Sequence, residues 1–93
     1  VLAEGLARYQ DAVTVEVTKP LTSWAGLRTI APDRTLVVGP DPRMAGVWWS
    51  AGQAGYGFQT APAVSRLLAA QMQGRTPDLD SETVTALGVE RLI

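Results

Sequence analysis

Hydrophobic and polar positions alternate most strictly in the first third of the chain. Valines at positions 13, 15 and 17 alternate with Thr14, Glu16 and Thr18, and this two-residue period predicts a half-buried β-strand. Further extended segments are predicted over residues 23–30, 35–39 and 47–51, with prolines and aspartates in the turns between them. Because short turns join consecutive strands, the pattern favours an antiparallel meander.

Helical spacing of apolar residues occurs at the start of the chain and again after the last predicted strand. Leu2, Leu6 and Tyr9 predict a short helix over residues 2–9. A long helix is predicted over residues 59–73, with Thr60 as its N-cap and Gly74 as its terminator. The apolar stripe of this long helix consists of Ala61, Val64, Leu68 and Met72.

A final short turn is expected to run to Leu87, capped by Asp80 or Ser81. Together these elements predict an α+β fold, in which a small antiparallel sheet of three to four strands carries one long C-terminal helix on one face.

Composition narrows the possible chemistry. The chain has 93 residues, enough for one modest domain, and its 46% hydrophobic and 18% charged content is ordinary for a folded protein. The net charge is −1 without a basic stripe, which argues against a nucleic-acid partner. Without cysteine or histidine, thiol chemistry, zinc sites and Ser-His catalysis are excluded.

No apolar run approaches the roughly 20 residues of a membrane span, so we expect no membrane partner and a cytoplasmic location. The chain begins at Val1 and not at methionine, which suggests a processed product or a fragment.

Three glycines at positions 52, 55 and 57 lie between the last predicted strand and the long helix. Their order, G-x-x-G-x-G, inverts the dinucleotide fingerprint G-x-G-x-x-G. Free N–H groups at a helix start stabilise an anion or an electron-rich oxygen, so the loop can hold a ligand. A tight turn with purely structural glycines is an equally good hypothesis from the loop alone.

Four segments in order extend this picture: residues 24–33 (WAGLRTIAPD), 36–39 (LVVG), 51–58 (AGQAGYGF) and 61–64 (APAV). Together they resemble the C-terminal end of the FAD-dependent D-amino-acid oxidase, glycine oxidase and sarcosine oxidase family, over about residues 15–75. The sequence departs from the family pattern at Gln53, where histidine is frequent, and at Thr29, where proline often follows the arginine. Gly26 stands about where sarcosine oxidases carry a flavin-linked cysteine, so the resemblance implies non-covalent FAD.

The resemblance also implies roles for individual residues. The loop would cover the flavin ring, with cofactor contacts from Gly52, Gly55, Tyr56, Gly57, Phe58 and Gln59. Arg28 matches the arginine that clamps the substrate carboxylate; the alternative is a surface arginine or a structural arginine in an ion pair, perhaps with Asp33. Tyr56 would line the substrate pocket or, alternatively, pack on the sheet. Gln59 would contact substrate where sarcosine oxidases have lysine.

The family fold divides the chain into three parts. Residues 1–45 would end a substrate domain, residues 46–75 would supply the closing strand and helix of the FAD-binding domain, and residues 76–93 would form a tail. No dinucleotide fingerprint is present, so FAD binding would require a missing N-terminal portion.

The resemblance therefore implies a piece of an enzyme that oxidises an amino acid or secondary amine by hydride transfer to FAD, and that is inactive alone. Exposed faces around Trp24, Trp48 and Trp49 would favour a homodimer of the fragment. The competing hypothesis is a non-catalytic small α+β binding module whose glycine loop is structural.

Overall fold

The computed structural model describes all residues, 1–93, and shows an α+β protein. The elements are α1 (Leu2–Ala12), β1 (Val37–Pro40), β2 (Trp48–Ala51), α2 (Gly57–Met72), α3 (Ser81–Leu87) and a terminal 3₁₀ helix (Val89–Leu92). None of these helices has the length and apolar character needed to cross a membrane.

The sheet consists of β1 and β2 alone, paired antiparallel with Val37 opposite Ala51 and Gly39 opposite Trp49. The turn between them is fixed by the buried carboxylate of Asp41. It accepts hydrogen bonds from the backbone N–H of Arg43 at 2.8 Å and the indole Nε1 of Trp49 at 3.1 Å. The Arg43 side chain also donates to it, and these bonds hold the pKa of Asp41 well below its usual range.

The core surrounds β1, which contacts β2, α2, α3 and the 3₁₀ helix. Ala31, Val37 and Val89 form one buried cluster, against which Trp49 and Ala51 pack. Val38, the most completely buried large side chain, retains 1% of its accessible surface. β1 therefore organises the folded part of the chain.

The expected sheet of three to four strands was wrong, because residues 13–18 and 23–30 form no strand. Gln10 takes the backbone groups that pairing would need: its Oε1 accepts from the Val17 N–H at 2.6 Å and its Nε2 donates to the Val15 carbonyl at 3.1 Å. Residues 21–30 are all exposed. A strand pattern needs a neighbouring strand and a face to cover it, and neither lies beside these segments here.

The long helix is confirmed, but its start and its buried face differ from the prediction. It begins at Gly57 with Tyr56 as N-cap, and the Thr60 hydroxyl donates back to the Tyr56 carbonyl at 2.7 Å. Leu67 and Ala70 are buried, whereas Ala61 and Met72 of the predicted stripe are exposed. The face that meets β1 is therefore rotated from the predicted stripe.

Both predicted C-terminal features are confirmed. Gly74 ends α2 with a φ of 67°, a left-handed conformation that suits glycine. Asp80 caps α3, since its carboxylate accepts from the Thr83 N–H at 2.7 Å, and this bond lowers the Asp80 pKa.

Arg91 fastens the end of the chain to the segment before β1. Its guanidinium donates to the carbonyls of Thr35, Leu36, Leu87 and Gly88 at 2.7–3.0 Å and to both carboxylate oxygens of Asp33. The hydrogen bond from Arg91, helped by one from the Thr35 N–H, lowers the pKa of Asp33 to about 2. These hydrogen bonds of Arg91 hold residues 33–36 against the end of the chain, next to one side of the site described below.

The chain divides into an N-terminal arm (residues 1–30), in which no residue is buried, and a packed unit (residues 31–93), which holds all nine buried residues. The radius of gyration is 18.9 Å, against about 12 Å for a compact domain of this length. The exposed surface is 7454 Å², against about 5,200 Å² for a folded monomer of this mass. Such a shape is typical of a segment whose remaining contacts lie on other protein.

Candidate functional site

The glycine loop lies between β2 and α2, and Gly52 makes its first turn. Gly52 has a φ of 68° and is buried; a Cβ there would lie 3.6 Å from Val37 and 3.7 Å from Ala31. Gly52 therefore faces the core. Its contribution to a ligand site is to turn the chain so that the following residues project outward.

The middle of the loop is tied to the end of the N-terminal arm. Ala54, which has a φ of 50°, donates its N–H to the carbonyl of Thr29 at 3.0 Å. The Tyr56 N–H turns back to the Gln53 carbonyl at 2.8 Å. The first of these bonds places Arg28 and the loop side by side, although 25 residues separate Thr29 from Ala54 in sequence.

Four of the five amides from Gly55 to Gln59 are free. The N–H groups of Gly55, Gly57, Phe58 and Gln59 make no hydrogen bond within the chain, and only that of Tyr56 is paired. Three of the free groups are the first N–H groups of α2, where the helix dipole adds partial positive charge. Phe58 is fully exposed, at 100%, Gly55 and Gln59 are also exposed, and Gly57 is half-buried.

Arg28 lies directly over the loop. Its Nη1 atom is 2.8 Å from the position that a Cβ would occupy on Gly55. Its guanidinium has no hydrogen bond and no ion pair in the chain, while Asp33 is occupied by Arg91. Of the alternatives to a substrate contact, the ion pair of Arg28 with Asp33 was therefore wrong, whereas a surface arginine agrees with the exposed position of Arg28. An unpaired guanidinium retains its five donors for another partner.

A groove of about 710 Å³ opens beside this loop, within the usual size range of small-molecule sites. Its lining residues are Ile30, Ala31, Pro32, Arg34, Ala54, Gly55 and Tyr56. No acidic side chain is among them, and the side chain of Arg34 makes no hydrogen bond or ion pair. The groove thus has both apolar and polar lining groups, with Arg34 as its one charged lining residue, which suits an anionic ligand with a small hydrocarbon part.

The structure brings together three of the predicted site residues, Arg28, Gly55 and Tyr56. Gly57 and Phe58 follow at the helix start, whereas Gln59 lies on the exposed first turn of α2 and lines no groove. Gln59 as a substrate contact stays a prediction. Tyr56 lines the groove, which favours the pocket over packing on the sheet.

Sequence reasoning missed five groove residues: Ile30, Ala31, Pro32, Arg34 and Ala54. The turn chemistry of Pro32 and Asp33 was visible in the sequence, but the fold-back of this turn onto the loop was not. The positive φ of Arg34, 61°, carries no sequence signal because non-glycine residues seldom adopt it. No group of three or more acidic, cysteine or histidine side chains is placed to hold a metal ion.

A glycine loop with free amides beside an unpaired guanidinium defines a site for an anionic or electron-rich ligand. The chain belongs to the family described as DAO, FAD dependent oxidoreductase, which matches residues 1–71. This confirms the resemblance seen in the motifs, and FAD is the cofactor that membership implies. No solved structure matches the chain.

Curated relatives agree with this family. The chain is 42% identical over 62 residues to the glycine oxidase of Pseudomonas aeruginosa, covering 67% of this chain and 17% of that enzyme. It is 39% identical over 70 residues to a D-amino acid dehydrogenase of Cereibacter sphaeroides, covering 75% and 15%.

A third relative is similar over almost the whole chain. The tRNA 5-methylaminomethyl-2-thiouridine biosynthesis bifunctional protein MnmC of Paracidovorax citrulli is 38% identical over 93 residues, covering 98% of this chain and 14% of that protein. The chain therefore spans only 14–17% of the length of these three curated relatives.

Proposed function

We propose that this chain is the C-terminal piece of a flavin-dependent oxidoreductase that oxidises an amino acid or secondary amine by hydride transfer to FAD. The observation that carries the proposal is the row of free amides at the start of α2, directly beside the unpaired Arg28. One group is suited to an electron-rich ring edge and the other to a carboxylate. Family membership supplies a cofactor, FAD, whose ring fits the amides, and the carboxylate would belong to the substrate.

The loop residues would hold the flavin ring through their backbone. Free N–H groups at Gly55, Gly57, Phe58 and Gln59 can donate to ring oxygens and nitrogens, while Tyr56 presents its side chain and Gly52 turns the chain. When bound, FAD supplies the hydride acceptor. The amides of the loop stabilise negative charge at the ring edge without rearranging, because the helix already fixes them. With no cysteine in the chain, attachment through these residues is non-covalent.

Arg28 would bind the substrate carboxylate, and Tyr56 would form a wall of the groove that receives the rest of the substrate. The planar guanidinium can pair both carboxylate oxygens, so it fixes orientation as well as charge. Gln59 would add an amide contact from the first turn of α2. Positioning of this kind suffices for the protein, since the redox chemistry resides in the cofactor.

The rest of the active site would come from an N-terminal FAD-binding portion. The N-terminal arm exposes Leu21, Trp24 and Leu27 almost fully, as expected for a surface that packs against that portion. In this arrangement residues 1–45 close the substrate domain, residues 46–75 complete the FAD-binding domain and residues 76–93 form a tail. The piece alone would bind no flavin tightly, and its exposed faces would allow it to dimerise.

Co-expression of this chain with the preceding portion of its gene product tests the proposal. We expect a yellow complex with flavin absorbance, and no tight FAD binding by the 93-residue chain alone. A colourless, well-folded complex would contradict the proposal. It would favour the alternative of a small binding module with a structural loop.

Replacement of Arg28 by leucine tests the substrate role. In the reconstituted protein, Arg28→Leu should raise KM for carboxylate substrates roughly 100-fold, as expected for loss of a charge-assisted pair, and leave flavin content unchanged. Arg66→Leu, which alters an exposed arginine of α2 that makes no hydrogen bond, is the matched control. An unchanged KM in Arg28→Leu would remove Arg28 from the substrate site.

A secondary amine carried on tRNA is a second candidate substrate. Similarity to the bifunctional tRNA-modifying relative covers 98% of this chain, while the family match ends at residue 71. The 5-methylaminomethyl group in that relative's name is itself a secondary amine. Nucleoside mass spectrometry of tRNA, before and after incubation with the full-length protein, separates this candidate from oxidation of free glycine, sarcosine and D-amino acids.

A further inference from the structure

We propose that Gly55 is a positioning residue for Arg28: its missing side chain makes the slot in which the Arg28 guanidinium lies. This inference rests on the proposed carboxylate role of Arg28. It assigns Gly55 a function separate from flavin contact, namely that of setting where the substrate carboxylate is held.

Backbone conformation does not explain a glycine at this position. The positive-φ glycines of the chain are Gly39, Gly46, Gly52 and Gly74, and Gly55 is not among them. The requirement at Gly55 is therefore one of space and not of φ.

The guanidinium of Arg28 occupies the space that a side chain at position 55 would need. A Cβ on Gly55 would lie 2.8 Å from the Nη1 atom of Arg28, and apart from Gly55 and its two chain neighbours no other residue has an atom within 4 Å. Real Cβ atoms essentially never make contacts under 3.0 Å. Alanine at position 55 would therefore push the guanidinium away by several tenths of an ångström, while the rest of the loop has room for the methyl group.

The displaced group is the end of a flexible side chain, so the fold should tolerate the change. Arg28 makes no hydrogen bond or ion pair within the chain that would hold its head in one place. The guanidinium lies against Gly55, next to the hydrogen bond from the Ala54 N–H to the Thr29 carbonyl. Bidentate pairing depends on geometry, and a misplacement of about 1 Å in a site can cost about 100-fold.

The test is a double-mutant cycle in the full-length flavoprotein, with acetate as the carboxylate probe and acetamide as its uncharged isostere. Gly55→Ala should weaken acetate binding about tenfold and raise KM for a carboxylate substrate by a similar factor. Acetamide binding should change less than twofold. Gly5→Ala, at an open position in α1, is the matched control and should change none of these.

The second arm of the cycle uses Arg28→Lys. Lysine has no Nη1 atom, so adding Gly55→Ala in the Arg28→Lys background should change acetate affinity less than twofold. Equal losses from Gly55→Ala in the Arg28 and Arg28→Lys backgrounds would overturn the inference, and so would an unchanged acetate affinity in Gly55→Ala.

Arg28→Leu separates the two proposals. If Arg28→Leu weakens acetate binding and Gly55→Ala does not, the slot fails and the carboxylate role stands. If acetate binds equally to wild type and Arg28→Leu, the carboxylate role fails, and the slot fails with it. A fall in flavin content in Gly55→Ala with acetate affinity kept would assign Gly55 to the cofactor and overturn the slot.

Discussion

The N-terminal arm and the packed unit have similar sequence character but opposite structural states. Both contain valine-rich segments with strand-like spacing, yet only the segment at β1 is buried: Val38 retains 1% of its accessible surface and Val15 retains 72%. The difference lies in the partners available. β1 meets β2 and three helices, whereas the hydrogen bonds of residues 13–18 join them only to Gln10. Strand-like spacing of hydrophobic residues therefore marks a surface suited to burial, but it does not identify the segment that would cover this surface.

Two arginines near the site, Arg91 and Arg28, differ in the same way as the packed unit and the N-terminal arm. Arg91 in the packed unit has an acceptor for every side of its guanidinium and is 18% exposed. Arg28 at the end of the N-terminal arm has none. The hydrogen bonds of Arg91 give it a structural role, whereas no such role within the chain occupies Arg28. This contrast separates two residues that composition alone treats as equal.

Substitution of one valine in each region should give the largest difference in stability between the packed unit and the N-terminal arm. Val38→Ala should destabilise the 93-residue chain by about 2 kcal/mol, because it removes buried methyl groups and leaves a cavity. Val15→Ala should change the free energy of unfolding by less than about 0.5 kcal/mol, as expected for an exposed position. Urea unfolding followed by tryptophan fluorescence measures both. Equal effects would mean that the N-terminal arm is packed in solution.

Matched glycine substitutions should differ in sign. Gly52→Ala places a Cβ at a φ of 68° and against Val37 and Ala31, so it should cost about 1–2 kcal/mol. Gly5→Ala, in the interior of α1 with open space around it, should be neutral or stabilising by up to about 1 kcal/mol. Thermal unfolding of the two variants checks the prediction, and destabilisation by Gly5→Ala would contradict it.

The smallest expected difference between the two regions is in the pH dependence of stability. The Asp33 pKa is lowered from 3.8 to about 2 by Arg91, so its contribution to stability is complete above about pH 4 and is lost as the pH falls toward 2. Wild type should therefore exceed Asp33→Asn in stability at pH 5, and the gap should close between pH 4 and 2. Asp11→Asn, at an α1 carboxylate that makes no hydrogen bond, is the matched control.

The helices and the two paired strands could be predicted from sequence because their signals are local. Gly74 and Asp80 carry the termination and capping chemistry within a few residues, and both functioned as predicted. The start of α2 could not be placed as well, since the hydroxyl of Thr60 bonds within the first turn and does not cap it. The missing strands failed for a non-local reason, the absence of a neighbouring strand and a covering face.

The site was partly predictable for the same reason. The glycines at 52, 55 and 57 and the arginine at 28 were visible as motifs, but their contact depends on the bond from Ala54 to Thr29 across 25 residues. The participation of Arg34 in the groove also depends on chain reversal near residue 33. Sequence spacing carries neither fact. Conversely, the pairing of Asp33 with Arg91 removed an alternative for Arg28 that the sequence left open.

Hydrogen–deuterium exchange of the full-length protein, with and without FAD, shows whether the free amides of residues 55–59 contact the flavin. We expect peptides covering residues 55–59 to exchange quickly in the FAD-free protein, because four of their five amides are unpaired, and to become strongly protected when FAD binds. Peptides covering α3 should be unaffected. Unchanged exchange at residues 55–59 in a protein that demonstrably holds FAD would contradict the account.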